Sequence, residues 1–377
     1  MAVGAHDWSS RTSPWLALAL VFISSASACR RPAPFGRTVA LTSRAPAATA
    51  PPRATIRDAI NPRLLRRFRP IAHLGGEAGA ARADLVSLGR MLWYEPRLSR
   101  SGKVSCNGCH DLDQAGVDHR PTSLGDRGQH GRRNAPTVYN SVGHVAQFWD
   151  GRATSLEAQA AGPILNPLEM ASTREGVVRT LSSIPEYESA FRRAFPADPA
   201  PLTFDHVTVA LAAFERGLVT RSRWDSFLAG NRAALTPDEV RGLRVFLEVG
   251  CVGCHTGPQV GASMFQVAGF VEAWPNQRDQ GRFEVTGAPH DHMVFKVPTM
   301  KNVARTAPYF HDGSCDDLAT AVRVMGRHQL GIDLTDREVA SIVTFLGVLS
   351  GDAARDYIAR PELPGEAPLR GGGEGGT

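Results

Sequence analysis

Two short clusters of cysteine and histidine have the residue types and the spacing that most clearly point to chemistry. They consist of Cys106, Cys109 and His110, and of Cys251, Cys254 and His255, each in a C-x-x-C-H pattern. In this pattern the two thiols bond the edge of a porphyrin, and the adjacent histidine binds the iron from one face. The sequence therefore predicts two covalently bound c-type haems.

Other uses of these cysteines are less favoured. Six cysteines in a chain with an export signal would ordinarily indicate three disulfides. One cysteine pair beside a histidine would also suit zinc, or a redox-active dithiol with an idle histidine. Two copies of the same five-residue pattern in one exported chain favour haem over all of these. Cys315 has no evident partner and is expected to be a plain buried or loop thiol.

Several further motifs accompany the two haem patterns. They are SCNGCH at 105–110, RNAPT at 133–137, FWDGR at 148–152, Glu169-Met170, and TAPYFHDG at 306–313. Over roughly residues 84–350 the sequence resembles the bacterial di-haem cytochrome c peroxidases. The resemblance is specific, because several uncommon motifs occur in the same order.

The resemblance implies different tasks for the two haems. The haem on His110 is the family's low-potential site, where peroxide reacts. The haem on His255 is the high-potential site of electron entry, and its second iron ligand is a methionine that matches Met325. Thioether ligation favours ferrous iron and raises the reduction potential. Without the resemblance, a methionine at helical spacing would be interpreted as core packing.

Three further residues match positions near the peroxidatic haem. Glu169 matches the distal glutamate, which takes a proton from one peroxide oxygen and returns it to the other. Gln159 matches a glutamine that orients the substrate. Trp149 matches a tryptophan between the haems, where its ring couples them electronically. Outside this context, Glu169 would be interpreted as a surface acid and Trp149 as a core residue.

The resemblance also implies one calcium ion between the domains. Its ligands match the side chain of Asn134 and the backbone carbonyl groups of Thr306 and Pro308, and calcium prefers such oxygen ligands. These groups are too common to predict the site without the resemblance. His311, in the TAPYFHDG motif at 306–313, is expected to be a structural contact or to lie beside the haem propionates.

One position departs from the family pattern. Many members have a histidine in the loop after the first haem pattern, and it binds the peroxidatic iron in the oxidised, inactive state. Asp126 occupies that position here, while His130 follows four residues later, with His119 and His144 also nearby. The loop is rich in glycine, which permits a shifted ligand. Two outcomes stay open. Either His130 is the distal ligand of the peroxidatic iron, or no protein residue binds the iron on that side, and the second outcome is favoured.

The elements that position these residues are predicted to be helices separated by long loops. Helical apolar spacing begins near Asp84 and stops at Pro96. Thr236 and Thr335 each precede a glutamate by three residues, which is a capping box, and helical spacing follows both. Alternating strand patterns are almost absent. We therefore expect an all-α fold of two cytochrome c-like haem domains with long loops.

The predicted domain organisation follows the two haem patterns. We expect a signal peptide at 1–28, a disordered basic Pro/Ala-rich tether at 29–80, an N-terminal peroxidatic haem domain at 81–235, a C-terminal electron-transfer haem domain at 236–350 and a Gly-rich tail at 351–377. The signal is inferred from an apolar run at 15–23 and the small residues Ala26 and Ala28. Cleavage there makes Cys29 the first mature residue, either free or lipidated. Both outcomes predict a periplasmic protein, and lipidation would add a membrane tether.

The distribution of charge argues against nucleic acid as a partner. The net charge is +5, but residues 30–70 hold ten arginines and a single acid, Asp58. The rest of the chain is therefore net negative, and the basic character belongs to one arm. Apolar residues make up 42% of the chain, which excludes global disorder.

Together these features predict a periplasmic peroxidase that reduces hydrogen peroxide to water with electrons from a small cytochrome c or cupredoxin. One alternative is a di-haem electron-transfer cytochrome, which would not need Glu169. Another is a di-haem oxidase of the type that matures quinone cofactors, although those enzymes have a tyrosine at the position of Met325. The resemblance allows a homodimer, since the family is commonly dimeric.

Overall fold

A computed structural model describes residues 60–71 and 83–366 of the chain. The predicted signal peptide, Cys29 and the last eleven residues of the predicted tail, 367–377, lie outside these ranges. Within them, no helix has both the length and the hydropathy that a membrane span requires.

Helices account for most of the regular structure in the described ranges. The α-helices are α1 (Pro62–Leu65), α2 (Ala83–Tyr94), α3 (Cys106–Cys109), α4 (Leu156–Leu165), α5 (Arg174–Ser182), α6 (Pro185–Ala194), α7 (Phe204–Glu215), α8 (Arg223–Leu228), α9 (Pro237–Glu248), α10 (Phe283–Thr286), α11 (Leu318–Met325), α12 (Asp336–Gly347) and α13 (Arg355–Ile358). Short 3-10 helices lie at Pro96–Leu98, Leu112–Gln114, Ser141–Gly143, Arg232–Ala234, Cys251–Gly253, Pro289–Asp291 and Val303–Arg305. A π-helical turn, Gly326–Leu330, follows α11.

Two small antiparallel ladders are also present. The strands are β1 (Arg221–Ser222), β2 (Phe265–Val267), β3 (Val294–Lys296) and β4 (Gly351–Asp352). β1 pairs with β4, and β2 pairs with β3. The prediction of an all-α fold did not include these ladders, because strands of two or three residues are too short to show an alternating pattern.

The first hydrophobic cluster is built around the contact of α2 with α7. Leu88 and Leu92 of α2 are fully buried in it. Between them Gly89 lies so close to α7 that an added Cβ would come within 1.9 Å of the carbonyl oxygen of Ala210. The neighbouring Trp93 donates a hydrogen bond to the side chain of Asn107 at 3.3 Å. The same helix therefore forms the core and holds α3, which carries the first haem pattern.

The second hydrophobic cluster is built around the contact of α9 with α12. Both helices begin with a complete capping box, at Thr236 and at Thr335, which confirms the two predicted helix starts. Gly242 again permits the close contact, since an added Cβ would lie 2.0 Å from the carbonyl oxygen of Ser341. The second haem pattern begins at Cys251, three residues after α9 ends. Trp224 in α8, on the N-terminal side of the predicted domain boundary, also packs into this cluster.

Part of the predicted tether is ordered, which corrects that prediction for residues 60–71. Ile71 is fully buried, and its backbone N–H donates to Asp225 at 3.0 Å. The ring of Phe68 packs edge-on against Trp224 with ring centres 5.3 Å apart. These apolar residues stand singly among arginines and prolines, so the sequence shows no periodicity that would reveal their burial.

Part of the predicted tail is ordered as well. Ile358 and Leu363 are buried in the first cluster, far along the chain from its helices. Arg97 donates a hydrogen bond to the carbonyl oxygen of Pro364 at 2.7 Å, and Tyr357 donates to that of Phe214 at 2.7 Å. The segment 351–366 therefore returns to the N-terminal helices, a long-range contact that local composition does not indicate.

Candidate functional site

The first haem pattern opens onto a cavity that we call the first cavity. The residues of its wall that bear on function are Cys106, Cys109, His110, Trp149, Arg152, Gln159, Glu169 and Glu215. The structure therefore brings Glu169, Gln159 and Trp149 together with the first haem pattern, although 39 to 59 residues of chain separate them from His110.

Glu169 lies in the turn that follows α4. The side chain of Asn166 orients Glu169. Its Nδ2 donates to Glu169 Oε1 at 2.7 Å, while its Oδ1 accepts from the N–H of Leu168 at 3.0 Å and so holds the amide in place. Burial raises the pKa of Glu169, and the hydrogen bond from Asn166 and the charge of Arg152 lower it in part. In the described ranges Oε2 has no hydrogen-bond partner. The carboxyl group therefore holds a proton to higher pH than an exposed glutamate and has one oxygen free for substrate.

Asn166 and Arg152 were missed by reasoning from the sequence. The sequence does contain a sign of the role of Asn166, which is its position before Pro167 directly after a helix. Asparagine side chains at such positions commonly form a hydrogen bond with the backbone two residues further on. Arg152 is exposed, pairs with Asp150 at 3.0 Å and lies over the ring of Phe148, so it belongs to the rim of the cavity.

In the loop that departs from the family pattern, the side chains of Asp126 and His130 do not line the first cavity. Asp126 accepts hydrogen bonds from the N–H and hydroxyl of Ser101 at 2.9 and 2.6 Å. Partial burial raises the pKa of Asp126, but the bonds from Ser101 outweigh it and the net pKa is lowered. His130 is exposed, and its Nδ1 lies 3.1 Å from the hydroxyl of Thr122. Neither Asp126 nor His130 is part of the cavity wall.

The second haem pattern opens onto another cavity, which we call the second cavity. The residues of its wall that bear on function are Asn134, Trp149, Cys251, Cys254, His255, Thr306, Pro308, His311 and Met325. Met325 is the last residue of α11, just before the π-helical turn. His255 Nδ1 lies 3.3 Å from the carbonyl oxygen of Val260, which orients the ring. The structure therefore places Met325 and His255 on the same cavity.

The residues of both cavities fit a covalently bound haem. The four cysteines of the two patterns are in no disulfide and are therefore available to bond a porphyrin, and burial raises the pKa of Cys251 to about 12. Burial also lowers the pKa of His255 to about 4 and lowers that of His110. Both imidazoles are therefore neutral at neutral pH, which is the form that binds a metal. His110 Nδ1 is buried and has no hydrogen-bond partner in the described ranges.

Several residues line both cavities, and we call them the shared wall. They are Asn134, Pro136, Thr137, His144, Phe148, Trp149 and Lys296. Trp149 is fixed there by two hydrogen bonds: its Nε1 donates to the carbonyl oxygen of Asn134 at 2.9 Å, and its own carbonyl oxygen accepts from the N–H of Lys296 at 2.7 Å. Trp149 therefore lies between the two cavities.

An internal repeat underlies the shared wall. Segments 136–151 and 298–313 have Pro-Thr, asparagine, phenylalanine and Asp-Gly at the same spacing. The equivalent residues Asn140 and Asn302 have φ angles of 66° and 62°, and the side chains of both donate to the hydroxyl of Thr220, at 3.0 and 3.1 Å. This repeat was visible in the sequence, and comparing the two segments would have linked Trp149 with His311.

The three groups predicted to bind calcium all line the second cavity. Asn134 Nδ2 donates to the carbonyl oxygen of Arg120 at 2.9 Å, which leaves its Oδ1 as a potential ligand. The described ranges contain no group of three or more His, Cys, Asp or Glu side chains that could hold a metal ion. That finding does not test a site made of amide and carbonyl oxygens, so the calcium site stays a prediction.

Comparison with known proteins agrees with this geometry. A family model described as di-haem cytochrome c peroxidase matches residues 83–233. The cytochrome c551 peroxidase of Nitrosomonas europaea is 48% identical over 72% of this chain and 81% of its own length. The chain belongs to the di-haem cytochrome c peroxidase family. The cytochrome c551 peroxidase of Pseudomonas aeruginosa is 43% identical to this family member over 81% of the chain and 90% of its own.

Solved structures extend the comparison to the fold. A MauG-like protein associated with microbial copper homeostasis superimposes with a TM-score of 0.68 and 30% identity, over 74% of this chain and 93% of its own. Membership of the peroxidase family confirms the resemblance inferred from the motifs, and a family defined by two haems agrees with the two C-x-x-C-H patterns.

Proposed function

We propose that this family member reduces hydrogen peroxide to water in the periplasm, with electrons from a small cytochrome c or cupredoxin. The observation that carries the proposal is the composition of the first cavity, where Glu169 and Gln159 share a wall with His110. The names of the relatives support the same activity, since the relatives from two organisms are cytochrome c551 peroxidases.

Two covalent haems, one held through His110 and the other through His255 and Met325, would supply the redox chemistry. The reaction consumes one peroxide, two electrons and two protons and produces two waters. Glu169 handles a proton in this scheme: its carboxylate accepts the proton of one peroxide oxygen and returns it to the other, which leaves as water. Its raised pKa suits this role, because a proton shuttle works best with a pKa near the operating pH. Gln159 orients the substrate within the same wall.

Electrons are proposed to enter at the second cavity and to cross the shared wall at Trp149. Trp149 touches both cavities, and its indole N–H and its carbonyl oxygen are both bonded, so the ring has a defined position. The two cavities, each beside its own hydrophobic cluster, support the proposal of one haem domain per C-x-x-C-H pattern.

Further parts of the proposal concern the surroundings of the enzyme. We propose that calcium binds Oδ1 of Asn134 and the carbonyl oxygens of Thr306 and Pro308. Removing it with a chelator should lower the melting temperature, and added calcium should restore it. Export to the periplasm, a lipid on Cys29 and a homodimer are proposed from the sequence. Cell fractionation, intact mass and sedimentation velocity test them in turn.

The two alternative functions have less support. A pure electron carrier would not need the partly buried carboxyl group of Glu169 on the first cavity. An oxidase of the quinone-maturing type would have a tyrosine where Met325 lies on the second cavity.

Steady-state consumption of hydrogen peroxide by the mature protein tests the proposed function. Reduced small cytochrome c serves as donor, and haem content by mass confirms two haems in each molecule. We expect turnover that saturates with peroxide. A protein with both haems that oxidises no donor, even after reduction of one haem, would instead support the electron carrier.

A further inference from the structure

Two buried lysines have very different surroundings. Lys301 is fully buried, and its Nζ lies 2.5 Å from Asp225 Oδ2 and 2.9 Å from Ser222 Oγ, so its charge is neutralised. Lys296 is 6% exposed, and its Nζ lies 2.9 Å from His144 Nδ1. Within residues 60–71 and 83–366, no carboxylate lies at ion-pair distance from Lys296. Among the described residues, Lys296 is thus a buried cation without a counter-ion.

The contact with Lys296 determines how His144 is protonated. An ammonium group only donates hydrogen bonds, so His144 Nδ1 is the acceptor and the ring proton resides on Nε2. Burial, together with the charge of Lys296, holds the pKa of His144 well below its ordinary value, so the ring is neutral. His144 Nε2 is buried and has no hydrogen-bond partner in the described residues. The pair therefore presents an ammonium group with no carboxylate partner and a ring N–H with no acceptor among the described residues, and both groups are donors.

An unpaired ammonium is expensive to bury, and a donor without an acceptor adds to the cost. Burial lowers the pKa of Lys296 to about 8, so most of the population stays charged at neutral pH. The backbone position of Lys296 is also constrained, because its N–H bonds to the carbonyl oxygen of Trp149. A fixed cation and a fixed N–H donor are what a carboxylate-binding site requires.

The pair lies in the shared wall, where both side chains line both cavities. A haem bound in either cavity would carry two propionate carboxylates. We propose that Lys296 Nζ and His144 Nε2 form a carboxylate-binding site between the two cavities and that a haem propionate occupies it. The inference rests on haem occupancy and not on peroxide turnover, so it can fail or succeed independently of the proposed activity.

The test uses the mature di-haem protein with Lys296→Met. Removing a cation beside a propionate disfavours the reduced, less positive haem, so we expect the reduction equilibrium of at least one haem to fall tenfold or more, which is about 59 mV for one electron. The propionate bending band in resonance Raman spectra should shift as well. Lys296→Arg keeps the charge and should move the potential less. His144→Phe should shift the same Raman band while leaving the charge in place.

Lys103→Met is the matched control, because Lys103 is exposed and lies outside both cavity walls. It should leave potentials and Raman bands unchanged. Unchanged potentials and propionate bands in Lys296→Met, with both haems present, would overturn the inference. Wild-type potentials that depend on added acetate or chloride would also overturn it, because the site would then hold a dissolved anion. If the Lys296→Met protein does not retain haem, the His144→Phe variant is the test: an unchanged propionate band in its resonance Raman spectrum would overturn the inference.

Discussion

Trp149 and His311 occupy equivalent positions in the internal repeat, and their rings meet with centres 6.4 Å apart at an interplanar angle of 72°. His311 is 4% exposed and stacks on Phe295 at 4.2 Å. The two copies of one local motif thus place their aromatic residues against each other where the cavities adjoin. A residue of the second copy thereby supports the ring that we propose as the route of the electron.

Replacing the proposed proton shuttle should separate chemistry from haem binding. Glu169→Gln keeps the size of the side chain and its contact with Asn166 but removes the carboxylate. We expect peroxide turnover to fall by roughly 10²- to 10⁴-fold, the usual contribution of a positioned acid–base group, with both haem spectra nearly intact. Glu188→Gln, on the exposed face of α6, is the control and should retain activity. Wild-type turnover in Glu169→Gln would remove this residue from the mechanism.

The hydrogen bond from Asn166 to Glu169 should determine the pH at which kcat/KM falls on the acid side of its pH profile. Because this bond lowers the pKa of Glu169, losing it raises that pKa further. Asn166→Ser keeps a hydroxyl to accept from the N–H of Leu168 but has no amide donor. We expect the limb of kcat/KM at low pH to move to higher pH, since the carboxylate form appears later. Profiles of the variant and the wild type that coincide would contradict the assignment.

Glu215, at the end of α7, should make stability depend on pH. Burial raises its pKa from 4.5 to about 8, so between these values the folded protein keeps a proton that the unfolded chain has lost. The free energy of unfolding should therefore fall by up to about 1.4 kcal/mol per pH unit in this window from this group. Glu215→Gln should remove that slope. Chemical unfolding of both proteins at pH 5, 6, 7 and 8 measures the difference.

The thioether of Met325 should raise the potential of the second haem. We expect Met325→Leu to lower this potential by at least about 60 mV, a tenfold change in a one-electron equilibrium. Spectropotentiometry resolves the two haems in one titration. Met300→Leu provides a comparison, since Met300 lines the same cavity but lies on a different segment. Equal small effects in both variants would indicate that Met325 only packs.

Electron paramagnetic resonance of the oxidised protein tests whether a protein residue binds the distal side of the iron of the first haem. Because His130 is exposed and not part of the wall of the first cavity, we expect a high-spin or water-bound iron in the oxidised protein. Activity should then show no lag that pre-reduction abolishes. His130→Ala should leave the spectrum unchanged. Two low-spin haems in the wild type, with one turning high-spin in the variant, would make His130 the gating ligand.

Much of the candidate site was predictable from the sequence because its signals are local. A C-x-x-C-H pattern brings its own thiols and histidine together within one turn of chain, so Cys106 to His110 needed no tertiary information. The capping boxes at Thr236 and Thr335 act within three residues for the same reason. Glu169 and Met325 were predictable only because neighbouring residues form motifs of a known family.

The haem patterns, the helix starts and the family could all be inferred before the fold was known, because each is encoded by residues close together in the chain. Which distant groups come into contact became known only from the folded chain. Lys296 reaches His144 across 152 residues, and the segment 351–366 packs on helices at the other end of the chain. Such contacts depend on how buried surfaces fit together. The residues next to a side chain in the sequence therefore do not reveal which distant residue it will contact. The burial of Ile71 and the exposure of His130 were decided in the same way, by packing over the whole molecule.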